Sequence, residues 1–144
     1  MKNIPNKLIE VGEYTGEGYR PVVDYGSWRV AVLNYSDTLL PQYLKEMQRH
    51  DETDEVFVLL RGRCILFVAD GDQHIEEVFG IDMEPLKLYN IKRAVWHNHT
   101  LDKDAMVLVI ENRDTTHENS PFCPLPETEQ QMIVDITRKM WNER

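Results

Sequence analysis

The sequence predicts an all-β sandwich or barrel of jelly-roll type followed by one C-terminal α-helix, and three observations predict it. Many short apolar stretches, each of roughly four to eight residues, are separated by Gly, Asp, Asn and Pro, which is the spacing of strands and turns. The strand candidates number about seven or eight, a count typical of jelly rolls. Helical periodicity is confined to the end of the chain, where Ile133, Ile136 and Met140, flanked by Met132, form one apolar stripe.

The elements follow in chain order. Ser27 to Tyr35 (SWRVAVLNY) alternates as a strand does, with Trp28, Val30 and Val32 on one face and Arg29, Ala31 and Leu33 on the other. Pro41 to Gln48 reads as a short helix or turn that buries Leu44 and Met47. Val56 to Leu60 and Cys64 to Ala69 are β-branched and aromatic runs around Arg61-Gly62-Arg63, which predicts a hairpin closed by a Gly turn. Asp70-Gly71-Asp72 makes the next turn. His74 to Phe79, Leu86 to Ile91 and Ala94 to Thr100 are shorter strands, and Ala105 to Ile110 (AMVLVI) is apolar on both faces, as in the middle of a sandwich. After the Pro-rich connector Ser120 to Pro126, Thr128 with Gln131 three residues later has the form of a capping box. The 144 residues suit one domain, 1–144, with a barrel core from about 19 to 113 and the helix from about 127 to 142.

Composition narrows the function classes. Hydrophobic residues make up 42% and charged residues 28%, the balance of a globular chain and not of a disordered one. Sixteen Lys and Arg against twenty-five Asp and Glu leave a net charge of −9, which repels nucleic-acid phosphates and anionic membranes. No apolar run approaches the roughly 20 residues needed to span a bilayer, and Met1-Lys2-Asn3-Ile4-Pro5 lacks a signal peptide's apolar segment. The expected location is cytoplasmic. Cys64 and Cys123 have no paired framework and read as free thiols. The apolar helix stripe and the barrel edges predict a symmetric homodimer.

The chemistry concentrates in two stretches. In Gln48 to Gly62, a polar loop holding His50 runs into a strand that starts at Glu55. Glu55 alternates with Phe57 and Leu59, so its carboxylate points inward if those two fill the barrel, and a buried carboxylate needs a cation or a donor. In Val95-Trp96-His97-Asn98-His99, the two imidazoles sit two positions apart and face one side, about 7 Å apart. Together with a loop imidazole and a carboxylate they would make a nitrogen and oxygen site for a first-row metal. Asp51, Glu52 and Asp54 read as surface, as do His74 and His117. Trp96 and Arg61 are the candidate substrate contacts. Trp96 offers an aromatic wall, and Arg61, in phase with Glu55, can hold a substrate carboxylate at the barrel mouth.

From about Trp28 to Asn112 the chain resembles the cupin superfamily. The family's first motif, G-x5-H-x-H-x3-4-E-x6-G, is similar to Gln48-x-His50-x4-Glu55-x6-Gly62, with Gln48 replacing the first His and no leading Gly near Tyr43. The second motif, G-x5-P-x-G-x2-H-x3-N, is matched at His97, while Lys92, Ala94 and Leu101 stand in place of Pro, Gly and Asn. The Val95 to His99 stretch also has a local similarity to the ureidoglycolate lyase branch. The resemblance implies a double-stranded β-helix whose interior divalent metal (Mn, Fe, Ni or Zn) is held by His50, Glu55 and His97, with Gln48 in the fourth place. The expected function is a metal-dependent lyase or isomerase acting on a small oxyacid or carbonyl compound, with His99 or a nearby carboxylate moving a proton. Oxygenase chemistry suits the same ligands if the metal is iron. The competing expectation is a non-catalytic cupin that binds or senses a small ligand.

Overall fold

The computed structural model describes residues 3–142. Among them the chain forms β1 (Gly18–Tyr25), β2 (Trp28–Asn34), β3 (Glu46–Gln48), β4 (Glu55–Arg61), β5 (Cys64–Asp70), β6 (Glu77–Asp82), β7 (Leu88–Ile91), β8 (Trp96–Leu101), β9 (Met106–Asn112), β10 (Phe122–Pro124) and α1 (Glu127–Asn142). The strands make two five-stranded sheets, ordered β1-β2-β9-β4-β7 and β10-β3-β8-β5-β6, with every pairing antiparallel. No helix among the described residues is long and apolar enough to cross a membrane. Cys64 and Cys123 are buried free thiols, as expected.

The alternation read from the sequence sets what each sheet turns inward. Along β9, Val107, Val109 and Glu111 are buried while the residues between them are half-buried. Along β4, Glu55, Phe57 and Leu59 are buried in the same way. The space between the sheets is filled by Leu33, Phe57, Leu59, Leu66, Met83, Val107 and Val109, among others. A second apolar layer lies between the other face of β5 and β8 and the helix, where Ile65, Phe67, Val78, Trp96 and Ile133 meet. Gly80 makes this layer possible: a Cβ there would lie 2.7 Å from Ile136 Cγ2 and 3.3 Å from the Phe67 ring.

Four local expectations are corrected. β4 and β5 do not form a hairpin, because β4 pairs with β7 and β9 in one sheet and β5 with β6 and β8 in the other. Gly62 turns a corner between the sheets, at φ +70 and with a Cβ position only 2.4 Å from the Ala105 nitrogen, so glycine is required there. Of the short helix or turn expected over Pro41 to Gln48, only the turn forms, a 3₁₀ turn at Pro41–Tyr43, and it gives way to β3, with Leu44 and Met47 buried as expected. The Pro-rich connector contains a strand, β10, which pairs Phe122 with Gln48 and Cys123 with Met47. Thr128 lies inside α1 and does not cap it; Gln130 instead closes the first turn, its backbone N–H donating to the Pro126 carbonyl and its Nε2 to the Leu125 carbonyl.

Candidate metal centre

One end of the space between the sheets is left open as a cavity of about 550 Å³, with Leu33, Phe57 and Val109 on its apolar side. Its polar side is built from two strand ends and a loop. His50 lies in the loop between β3 and β4, Glu55 begins β4, and His97 is the second residue of β8. All three are buried, and one ligand atom from each falls within 4.8 Å of the others.

The hydrogen bonds define how these groups face one another. His97 Nδ1 is 2.9 Å from the Val95 carbonyl, which can only accept, so Nδ1 carries the hydrogen and Nε2 points at Glu55 Oε2, 2.8 Å away. His50 repeats the arrangement: Ser120 Oγ donates to Asn119 Oδ1 at 3.2 Å and accepts from His50 Nδ1 at 2.7 Å, which leaves His50 Nε2 facing Glu55 Oε2 at 3.1 Å. Two imidazole Nε2 atoms therefore converge on one carboxylate oxygen. Acceptors arranged in this way require a cation among them, as protons on the rings or as a metal ion, and the outer hydrogen bond on each Nδ1 is the support that metal-ligating imidazoles have. Burial pushes the Glu55 carboxyl up, but hydrogen bonds from His50 and His97 outweigh it and hold it well below the usual carboxylate range. Burial pulls His50 down, but the Glu55 hydrogen bond and charge outweigh it and raise its pKa.

Three cavity residues escaped the sequence reading. Glu111 on β9 receives the Tyr19 hydroxyl and the Arg29 guanidinium on Oε1, with Arg29 Nη2 at 2.7 Å and Nε at 3.1 Å. Arg29 also donates to the backbone carbonyls of Arg113 and Thr115, which fixes its guanidinium against the wall. Burial, then the hydrogen bond to Glu111, raises the Tyr19 pKa, so its hydroxyl stays protonated as a donor. The alternation carried a signal for both charged groups: Glu111 is in phase with Val107 and Val109, and Arg29 with Ala31 and Leu33.

The other expected site residues divide. Gln48 lines the cavity and donates from Nε2 to the Ser120 carbonyl at 3.3 Å, so its amide oxygen is the atom left for a ligand. His99 lines the same cavity with its ring 5.9 Å from the Phe57 ring, and its Nδ1 is buried without a hydrogen-bond partner. Burial pushes the His99 pKa down to about 4. Trp96 is not in the cavity. It packs in the layer under the helix, donates from Nε1 to the Asp72 carbonyl and is covered by Arg49, because neighbouring strand positions point to opposite sides. Arg61 is exposed and outside the cavity, since a bulge between Leu59 and Arg61 breaks the alternation that put it in phase with Glu55. His74 is exposed as expected; His117 is also exposed but reaches the cavity rim, where its ring lies 5.9 Å from Phe122.

Two non-glycine residues before His97 hold left-handed backbone where the second motif has glycine. Ala94, in a glycine position of the motif, has φ 63, and Leu86, where the leading glycine falls, has φ 65. The Ala94 N–H is anchored on the His50 carbonyl at 2.8 Å, which ties this turn to the His50 loop.

No protein-family model matches the chain, and no curated protein matches it by sequence. Solved structures do. The capsular polysaccharide assembling protein CapF from Staphylococcus aureus is 15% identical with a TM-score of 0.57, over 80% of this chain and 34% of that chain, so this chain spans about a third of CapF. Pac13, a nucleoside dehydratase also solved as the Streptomyces protein with uridine, is 8% identical with a TM-score of 0.51, over 78% of this chain and 83% of that chain. A cupin-2 domain protein from Shewanella frigidimarina is 20% identical over 69% of this chain and 85% of that chain, with a TM-score of 0.48. The fold expected from the sequence is the one found: a β-barrel of two antiparallel sheets with a C-terminal helix, a fold similar to those of CapF and Pac13.

Proposed function

We propose that this protein is a divalent-metal cupin that acts on a small polar metabolite, an oxyacid or carbonyl compound, by lyase or isomerase chemistry. The observation that carries the reading is the convergence of His50 Nε2 and His97 Nε2 on Glu55 in a buried pocket that opens into a cavity. Two imidazoles and a carboxylate suit Mn, Fe, Ni or Zn, and Gln48 stands beside them as a fourth donor. A bound ion would supply Lewis-acid polarisation of a substrate oxygen. The chain's own residues do the rest. Leu33, Phe57 and Val109 exclude water on one side, and His99, whose ring lines the cavity beside Phe57, is placed to exchange a hydrogen bond or a proton with the substrate. The dehydratase chemistry of Pac13 is lyase chemistry on the same fold and supports the reading by analogy. The homodimer belongs to the proposal too, supported by Phe79 and Ile81, apolar and exposed on β6, the edge strand of its sheet, on the face turned away from the helix; sedimentation equilibrium gives the mass that decides it.

The test is a panel of small oxyacids and carbonyl compounds followed by NMR, with metal-loaded protein, chelator-treated protein and a His97→Ala variant. Turnover by the loaded protein alone is the expected outcome. Ligands that raise the melting temperature without turnover would support a binding cupin instead, and equal turnover in all three samples would contradict the metal reading.

A further inference from the structure

Glu55 and Glu111 occupy directly opposed positions on adjacent strands. The ladder between β4 and β9 pairs Val56 with Ile110, so the next step outward sets Glu55 against Glu111, both buried and both turned inward. Like charges placed across a ladder repel unless a cation lies between or beside them. Arg29, paired with Glu111 in the β2–β9 ladder, is such a cation, but it binds Oε1 only. Glu111 Oε2 has no hydrogen-bond partner, is shut off from water, and faces His50 Nε2 at 3.8 Å. The Glu111 side chain is 3% exposed, so the oxygen has no solvent to satisfy it. An unsatisfied buried carboxylate oxygen costs several times what an ordinary hydrogen bond contributes.

From this arrangement we infer that Glu111 is a further metal ligand, with Oε2 closing on the ion held by His50, Glu55 and His97. The inference rests on the metal reading above. It explains three features together: the free oxygen beside a ligand imidazole, the opposed carboxylates, and the clamp of Tyr19 and Arg29 on Oε1. Such a clamp fixes one oxygen of a carboxylate and leaves the other to a metal, the role that outer hydrogen bonds have around metal ligands. The set then has two imidazoles and two carboxylates, which moves its preference toward harder ions such as Mn²⁺ relative to an all-imidazole site.

The probe is Mn²⁺ alone, followed by electron paramagnetic resonance, which reports free ion for affinity and bound ion for its surroundings. Wild type is compared with Glu111→Gln, Glu111→Asp and Tyr19→Phe, each checked for an unchanged near-ultraviolet circular dichroism spectrum. Glu111→Gln is expected to weaken Mn²⁺ binding at least about tenfold and to alter the bound spectrum. Glu111→Asp keeps the charge but shortens the reach, so ligation is expected to weaken it as well, and Tyr19→Phe to weaken it less. Mn²⁺ affinity unchanged in Glu111→Asp would overturn ligation, leaving only a charge effect. A crystal of the Mn²⁺-loaded wild type decides the matter even if the variants fail to fold: Oε2 within about 2.0 to 2.3 Å of the ion confirms it, and a longer distance overturns it. If the wild type binds no divalent ion, the metal reading itself fails; if it binds equally well to wild type and all variants, only this inference does.

Discussion

His99 has the most informative acid–base behaviour among the cavity residues. Its pKa falls from 6.5 to about 4 on folding because burial disfavours the imidazolium. A depressed folded-state value contributes stability above pH 6.5 that is lost as the pH falls toward 4. His50 has the opposite sign: its raised value contributes stability below about pH 6.5 that is lost as the pH rises through the folded-state value. In metal-free protein, His99→Phe is therefore expected to reduce the loss of stability between pH 7 and pH 5, measured by urea unfolding at each pH. A variant as acid-sensitive as wild type would contradict the burial account. The residues themselves were unevenly legible. His50, Glu55 and His97 came from motif spacing, and each is buried where the barrel needs it. Glu111 and Arg29 matched the inward phase of their strands but belonged to no motif, and only pairing across β2, β9 and β4 brings them together. Trp96 and Arg61 failed for geometric reasons, one facing the other side of its strand and one lying past a bulge.

At the scale of elements, the turns show where sequence and conformation disagree. Ala94 and Leu86 hold left-handed conformations, which cost a non-glycine residue roughly 1 to 2 kcal/mol each. Leu86 is 74% exposed, so its side chain contributes little packing in return. Ala94→Gly and Leu86→Gly are each expected to stabilise the protein by about 0.5 kcal/mol or more after the entropy that glycine adds to the unfolded chain. A fall in the urea midpoint for both would contradict this. Gly80→Ala is expected to have the opposite effect, a loss of about 1 to 3 kcal/mol, because its Cβ would press on Ile136 and Phe67 and lift the helix from β6. Strand existence was legible from short apolar runs, but partnership was not: nothing in the runs around Gly62 states that β4 and β5 enter different sheets. β10 was hidden because its three residues, Phe122–Pro124, lie among prolines and gain their order from pairing with β3.

Across the whole molecule, two sheets and a docked helix hold a buried polar cluster beside their apolar layers, and the net charge of −9 raises the local concentration of cations around it. If the cluster is a metal site, folding and binding are linked. An ion at about a hundred times its dissociation constant contributes about 2.7 kcal/mol, which is several degrees in melting temperature for a chain of this size. That shift is expected for wild type and absent from a His50→Ala, His97→Ala double variant. The fold leaves the substrate open, since the same barrel serves CapF and Pac13, and the chemistry is decided by the residues within it. Whether His50, Glu55 and His97 hold a metal ion is decided by elemental analysis of purified, untagged protein, comparing wild type with the double variant. Close to one Mn, Fe, Ni or Zn per wild-type chain and none in the variant is the expected result. Wild-type protein that holds no metal even after incubation with each ion, or a variant that retains it, would contradict the account.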